Sequence, residues 1–153
     1  MSKLLYGLGA GIALLLAGGP SAAAGEAGMI KVARGSVAVE RAGKRVSVTV
    51  GDRVMSADRV ITGADGAVGI VLRDSTRLSA GPNSVLSLDK YSFDSTTHAG
   101  EIDASVRQGT LSVISGKVAA ASPEKVTFRT PTATLGVRGT EFVIEVAERG
   151  SNQ

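Results

Sequence analysis

Two strings of the form S-x-x-K are the first places to look for covalent chemistry: Ser87-Leu88-Asp89-Lys90 and Ser122-Pro123-Glu124-Lys125. In β-lactamase-like enzymes such a string opens a helix, which sets the lysine beside the serine hydroxyl, and S-D-N and K-T-G companions complete the site. Both companions are missing here. One string falls at a strand end and the other contains proline. No G-x-S-x-G elbow, H-E-x-x-H pair or G-x-x-x-x-G-K-[ST] loop occurs either. His98 is the only histidine and has no partner at a legible spacing; with Cys 0, the common zinc sets cannot be assembled within one chain. Asp52, Asp58, Asp65, Asp74 and Asp89 fall at turn signals, where an aspartate accepts from the backbone two residues on. A D-x-[DN]-x-[DN]-G calcium loop is absent. The sequence therefore predicts no catalytic residue, no metal ligand and no cofactor site, and the protein reads as a non-enzyme.

The most specific string is Thr130-Pro131-Thr132-Ala133-Thr134-Leu135-Gly136-Val137-Arg138-Gly139-Thr140-Glu141-Phe142. Pro131 removes a donor and fixes φ, so Thr130 must be extended. Gly136 and Gly139 bracket Val137-Arg138, a pattern for a sharp double turn with close backbone approach. A guanidinium at Arg138 can donate up to five hydrogen bonds and staple the last strand to its neighbours. The alternative is a contact with an anion or a partner. Thr130, Pro131, Gly136, Val137, Arg138, Gly139, Thr140 and Phe142 are the residues singled out, with a structural role expected first.

The elements that must position this string are short strands. The dominant period is two: Val37 and Val39; Val46, Val48 and Val50; Val68, Ile70 and Leu72; and Phe142, Ile144 and Val146 with Glu141 and Glu145 outward. Further strands are expected at 54–55, 59–62, 76–78, 85–88, 102–106, 111–115 and 126–129. Turn signals separate them, among them Ala42-Gly43, Gly51-Asp52, Asp65-Gly66, Gly81-Pro82-Asn83 and Gln108-Gly109. Lys117–Ser122 suits one helical turn or a loop. Residues 89–100 form the longest irregular stretch and hold His98; an extended edge strand followed by a polar turn is the expected reading. Aromatics are 3% of the chain and Gly numbers 20, so the core must be aliphatic and the turns many. The fold class is all-β, short strands in twisted stacked layers, solenoid-like or sandwich-like. Val32–Val39 and Val106–Val113 share the pattern V-x-x-G-[ST]-[VL]-[AS]-V, and at the same spacing Val68–Leu72 falls on Phe142–Val146, an internal repeat that suggests two related layers.

Residues 1–24 read as a secretory signal peptide: Lys3, an apolar run from Leu4 to Ala17, and Ala22-Ala23-Ala24 as the cleavage signature near Ala24. The run is short for a spanning helix, so membrane attachment is expected only if the segment stays uncleaved. Residues 25–29 read as a linker, 30–146 as the β domain and 147–153 as a polar tail. The formal net charge is +3 and the 17 Lys and Arg are scattered, with no clustered basic face and few aromatics, so no nucleic-acid partner is expected.

The Thr130–Phe142 string resembles the ending T-P-x-A-x-x-G-V-R-G-T-x-F of the FecR protein domain. Gly35-Ser36-Val37, Gly51-Asp52, Ile61-Thr62-Gly63, Leu72-Arg73-Asp74-Ser75 and Gly109-Thr110-Leu111 follow the order usual in that family. The resemblance spans about Ile30 to Val146. It implies an exported all-β domain, periplasmic in the family's name-giving members, where it belongs to an inner-membrane regulator relaying transporter occupancy to a sigma factor. No cytoplasmic anti-sigma segment is read here, so what carries over is a periplasmic protein-interaction or signal-sensing module, with another envelope protein or a glycan as partner. The competing expectation is an envelope hydrolase or other enzyme on a β scaffold.

Overall fold

The computed structural model describes residues 25–137 and 139–147. Twelve strands follow in order: β1 (Glu26–Arg34), β2 (Val37–Arg41), β3 (Lys44–Ser47), β4 (Arg53–Met55), β5 (Arg59–Thr62), β6 (Ala67–Leu72), β7 (Arg77–Ala80), β8 (Val85–Phe93), β9 (Gly100–Ile114), β10 (Val126–Arg129), β11 (Thr134–Gly136) and β12 (Glu141–Val146). One short helix, α1 (Lys117–Ala121), and a 3-10 turn at Pro123–Lys125 lie between β9 and β10. The strands make one sheet that curls into two layers sharing β9. The first layer runs β4-β1-β6-β7-β9-β12 and the second β3-β2-β5-β8-β9-β10-β11. All pairings are antiparallel except β10 with β9. The all-β expectation holds, with the layers formed by one curled sheet in the manner of a half-barrel.

Each layer is apolar on one face because its strands alternate. β6 buries Val68, Ile70 and Leu72 and leaves Ala67, Gly69 and Val71 half-buried. Leu86, Leu88, Ile102, Ala104 and Val106 do the same for the second layer. The core is aliphatic, as the composition required, with Phe128 and Tyr91 its buried aromatics.

Glycine makes the corners. The chain passes from the first layer to the second at Gly35 (φ +60) and, within β9, from the second to the first at Gly109 (φ +89). A side chain at Gly109 would strike Ser84, and one at Gly35 would strike Asp65. These are the matched glycines of the internal repeat, so that half of the correspondence is structural. The other half is not. β6 pairs with β1, the strand before its glycine, whereas β12 pairs with the part of β9 after its glycine.

Several expected elements change. Residues 26–29, read as linker, are the start of β1, where Ala27 is fully buried and Glu26–Met29 pair with β4. The strand expected over 45–50 is β3 and ends at Ser47; Val46 and Val50 are each 58% exposed, and among the described residues no strand lies beyond β3. The strands expected at 102–106 and 111–115 are one, since Gly109 bends β9 without ending it. Residues 89–93 continue β8, and a polar turn follows in which the Asp94 carboxylate accepts from Thr96 and Thr97 N–H. Residues 1–24, Arg138 and the end of the tail lie outside the described residues, so the signal peptide and the Arg138 staple do too.

Candidate functional site

The Thr130–Phe142 segment begins with a closed turn. Thr130 N–H donates to the Ala133 carbonyl (2.8 Å), and Ala133 N–H donates to Thr130 Oγ1 (3.1 Å). Pro131 sits exposed at its tip, where its missing donor costs nothing. The turn folds β11 back on β10 with Leu135 opposite Phe128. The chain then crosses from the second layer to the first between Gly136 and Glu141. Val137 is buried, Gly139 has φ +105, and Ser115 N–H holds the Thr140 carbonyl at 2.7 Å. β12 then pairs with β9, placing Phe142 opposite Val113 and Ile144 opposite Leu111. Phe142 meets the buried Phe128 edge to face at 5.3 Å.

Between these elements lies a groove of about 1130 Å³. Leu135, Gly136, Val137, Gly139, Thr140 and Phe142 come from the segment itself; Val126, Ile144, Ala119 and Pro123 complete it. The walls are largely apolar, and Glu124 is the one ionisable side chain among the described lining residues. Among the described residues β11 pairs with β10 alone and β12 with β9 alone, so each flanks the groove with an edge that no described strand occupies. Leu135 (37%) and Val143 (62%) are exposed there. The arrangement suits an added β-strand that takes main-chain hydrogen bonds from an edge and sets apolar side chains into the groove. Thr130, Pro131 and Thr132 stand apart from this groove and border a second one of about 720 Å³ with Arg107 and Glu145.

The wall formed by α1 hangs on a carboxylate. Asp74 is fully buried. Its oxygens accept from Thr76 Oγ1 (2.7 Å), Thr76 N–H (3.2 Å), Tyr91 Oη (3.1 Å) and Val118 N–H (3.1 Å), and its carbonyl accepts from Lys117 N–H (2.9 Å). The turn from β6 to β7, the strand β8 and the start of α1 are thereby tied at one point. Burial, then the nearby Asp74 charge, holds the Tyr91 hydroxyl well above the usual phenol range. Of the five turn aspartates, Asp74 makes the expected bond two residues on; Asp52 and Asp58 instead accept from residues three before them, Thr49 and Met55.

A second tie closes the opposite end. Arg41 donates from Nε and Nη2 to both oxygens of Asp58 (2.8 and 2.6 Å) and from Nη2 to the Arg53 carbonyl (3.2 Å). Asp58 is 1% exposed, and its hydrogen bonds raise the Arg41 pKa. An arginine staple was expected at Arg138; among the described residues the forked one is Arg41, which the sequence did not signal because its carboxylate lies far along the chain.

Ser87 and Lys90 of the first S-x-x-K string lie on β8, and Ser122 precedes the three-residue 3-10 turn that Lys125 ends, so neither string opens an α-helix. His98 packs on Phe93 (6.1 Å between ring centres) in the exposed 94–99 turn. No cluster of three or more His, Asp or Glu that could hold a metal is found among the described residues, and no helix among them is long and apolar enough to cross a membrane.

The family profile described as FecR protein matches residues 58–153, well over half of the chain. The chain belongs to the FecR family. The matched FecR region contains Asp58, the Asp74 tie and the whole groove-lining segment. No curated protein matches the chain. A solved structure described as a cell surface anchoring domain is 31% identical over 40% of this chain and 82% of its own, with a TM-score of 0.39.

Proposed function

We propose that the chain is an exported, non-catalytic FecR module of the periplasm that binds another protein of the cell envelope by strand addition at the groove between β11 and β12. The observation that carries this reading is the place of the chain's most specific segment: its residues Thr134 to Val137, Gly139, Thr140 and Phe142 line an apolar groove whose two flanking strands each have an edge with no partner among the described residues. Sequence and site agree in chemistry. A groove with one carboxylate and no paired acid, base or nucleophile among its described residues suits binding rather than turnover. A protein strand fits it better than a glycan, because Phe142, the one aromatic ring among the described lining residues, is packed on Phe128 and the flanking strand edges offer main-chain hydrogen bonds. The apolar leader with Lys3 and Ala22-Ala23-Ala24 supports export, with residues 1–24 as the removed signal peptide.

Affinity capture from envelope extracts tests the proposal. The wild-type domain and a Leu135→Glu variant are used as bait, their melting midpoints being compared first. The expected result is a captured protein that is lost with Leu135→Glu while the fold stays intact. Capture unaffected by Leu135→Glu overturns the groove as the binding site.

A further inference from the structure

Among the described residues the sheet has four terminal strands, β3, β4, β11 and β12, and two of them, β12 and β3, complement each other in charge. At one end β12 offers a free edge whose outward residues are Glu141, Val143 and Glu145 and whose inward residues are Phe142, Ile144 and Val146. At the other end β3 pairs, among the described residues, only with β2. Its inward residues are Lys44 and Val46, since Val46 lies opposite buried Val39, and its outward residues are Arg45 and Ser47. Val46 faces inward yet is 58% exposed, and below it an opening of about 420 Å³ is lined by Val39, Val46, Val48, Arg41, Lys44 and Arg53 among others. The Arg45 guanidinium reaches Glu40 only at 3.9 Å and is 63% exposed, so it retains donors for a second carboxylate.

We propose that β12 of one copy adds antiparallel to β3 of the next, with Glu145 opposite Arg45 and Ile144 opposite Val46, so that the domain assembles head to tail. This rests on the reading of β12 as a strand-adding edge and names a second copy of the chain as an occupant. Side-chain alternation selects the register. Directly opposite residues of a sheet share a face. Pairing Glu145 with Arg45 then sets Ile144 on Val46 and Phe142 on Val48 inward, and Val143 on Ser47 outward. Ile144 then meets Val46, which is 58% exposed, and Phe142 meets the half-buried Val48 just past the end of β3, while Val146 faces Lys44. The same charges oppose symmetric pairing. β12 paired with itself about Val143 sets Glu141 against Glu145 twice, and β3 paired with itself about Arg45 sets cation against cation. Charged edges protect strands from like strands; here the two protections are of opposite sign and leave the mixed pair open. A heterologous contact of this kind propagates until it closes into a ring or extends as a filament.

The chain contains no cysteine, so engineered disulfides report the register directly. Mature domain carrying Ser47→Cys and Val143→Cys, oxidised over a range of concentrations, is expected to give a ladder of dimers, trimers and higher species. Ser47→Cys with Ser79→Cys, two exposed outward positions on strands that the register does not join, is expected to give none. Arg45→Glu and Glu145→Arg, each added to the Ser47→Cys/Val143→Cys chain, lower the ladder yield about tenfold, and an equimolar mixture of the two restores it. All these positions are exposed, and unchanged melting midpoints confirm the fold. Absence of the ladder from Ser47→Cys/Val143→Cys, or a single dimer formed by Val143→Cys alone, overturns the proposal. Loss of the ladder together with envelope capture that still depends on Leu135 removes self-assembly and leaves the groove reading; a ladder with capture indifferent to Leu135 does the reverse.

Discussion

Replacing Asp74 by alanine removes the point at which the β6–β7 turn, β8 and α1 meet. Four donors lose their acceptor: the Thr76 hydroxyl and N–H, the Tyr91 hydroxyl and the Val118 N–H. Thr76 and Tyr91 are buried, and so is Val118, so water does not simply replace the carboxylate. Bonds to a charged acceptor contribute about 1.5–3 kcal/mol each, and a buried donor left unpaired costs about 1–3 kcal/mol. Against this stands the desolvation cost of the carboxylate itself, which the variant no longer carries. The two hydroxyls can also turn to other acceptors, which leaves the two backbone N–H groups as the firm loss. The net is a destabilisation of about 3–5 kcal/mol, which for a domain of this size lowers the melting midpoint on the order of 10–20 °C. Tyr91→Phe removes one of the carboxylate's four donors and also the acceptor of the buried Asp74 N–H (3.0 Å), so about 1–3 kcal/mol is expected from it, less than from Asp74→Ala. Thermal unfolding of the mature domain followed by circular dichroism, with both variants beside wild type, measures the pair. An Asp74→Ala midpoint within about 3 °C of wild type, or a Tyr91→Phe loss as large as that of Asp74→Ala, would refute the reasoning.

Three further outcomes follow from the same geometry. Arg41→Ala strips the buried Asp58 carboxylate of its forked donor and is expected to destabilise by about 1.5–3 kcal/mol, with Arg41→Lys recovering only part because an ammonium cannot give two parallel bonds; chemical denaturation reads both. The raised Tyr91 pKa makes stability pH-dependent at the alkaline end. The unfolded phenol ionises near its ordinary value of 10.0 while the folded one stays neutral, so Tyr91's contribution is complete below pH 10 and declines as pH rises beyond it; Tyr91→Phe should flatten that decline in a pH-dependent melting series. Arg138→Ala separates its two expected roles: a staple lowers the melting midpoint by several degrees, whereas a partner contact leaves the midpoint unchanged and weakens envelope capture.

What was legible in the sequence was mostly what alternation controls. β5, β6, β10 and β12 stand where their period-two valines, isoleucines and phenylalanines place them. The starts and ends that were misread are those decided by partners. Residues 26–29 show no alternation, yet β4 and β6 on either side make a strand of them. Residues 48–50 do alternate, and Val48 N–H still reaches the Val37 carbonyl (3.2 Å), yet the chain turns away after it because β2 begins at Val37 and the Asp52 carboxylate captures Thr49 N–H. Gly109 looked like a break because glycine usually ends a strand; here its positive φ carries one strand around a corner. The groove-lining segment was legible through its glycine and proline spacing, but the groove was not, because Val126, Ala119 and Pro123 reach it only through tertiary packing. Arg41 with Asp58, and Asp74 with Tyr91 and Val118, were invisible for the same reason: they join residues distant along the chain, and nothing in their local spacing announces it.

The central claim is that the segment 134–146 binds a protein by strand addition, and amide hydrogen exchange tests it most directly. The mature domain is exchanged alone and in the complex recovered from envelope extracts, and protection is compared residue by residue. Strand addition predicts new protection concentrated in Thr134–Gly136 and Glu141–Val146, with the outward face of β5 and β8 unchanged. Protection gained elsewhere while β11 and β12 exchange as in the free domain would contradict it.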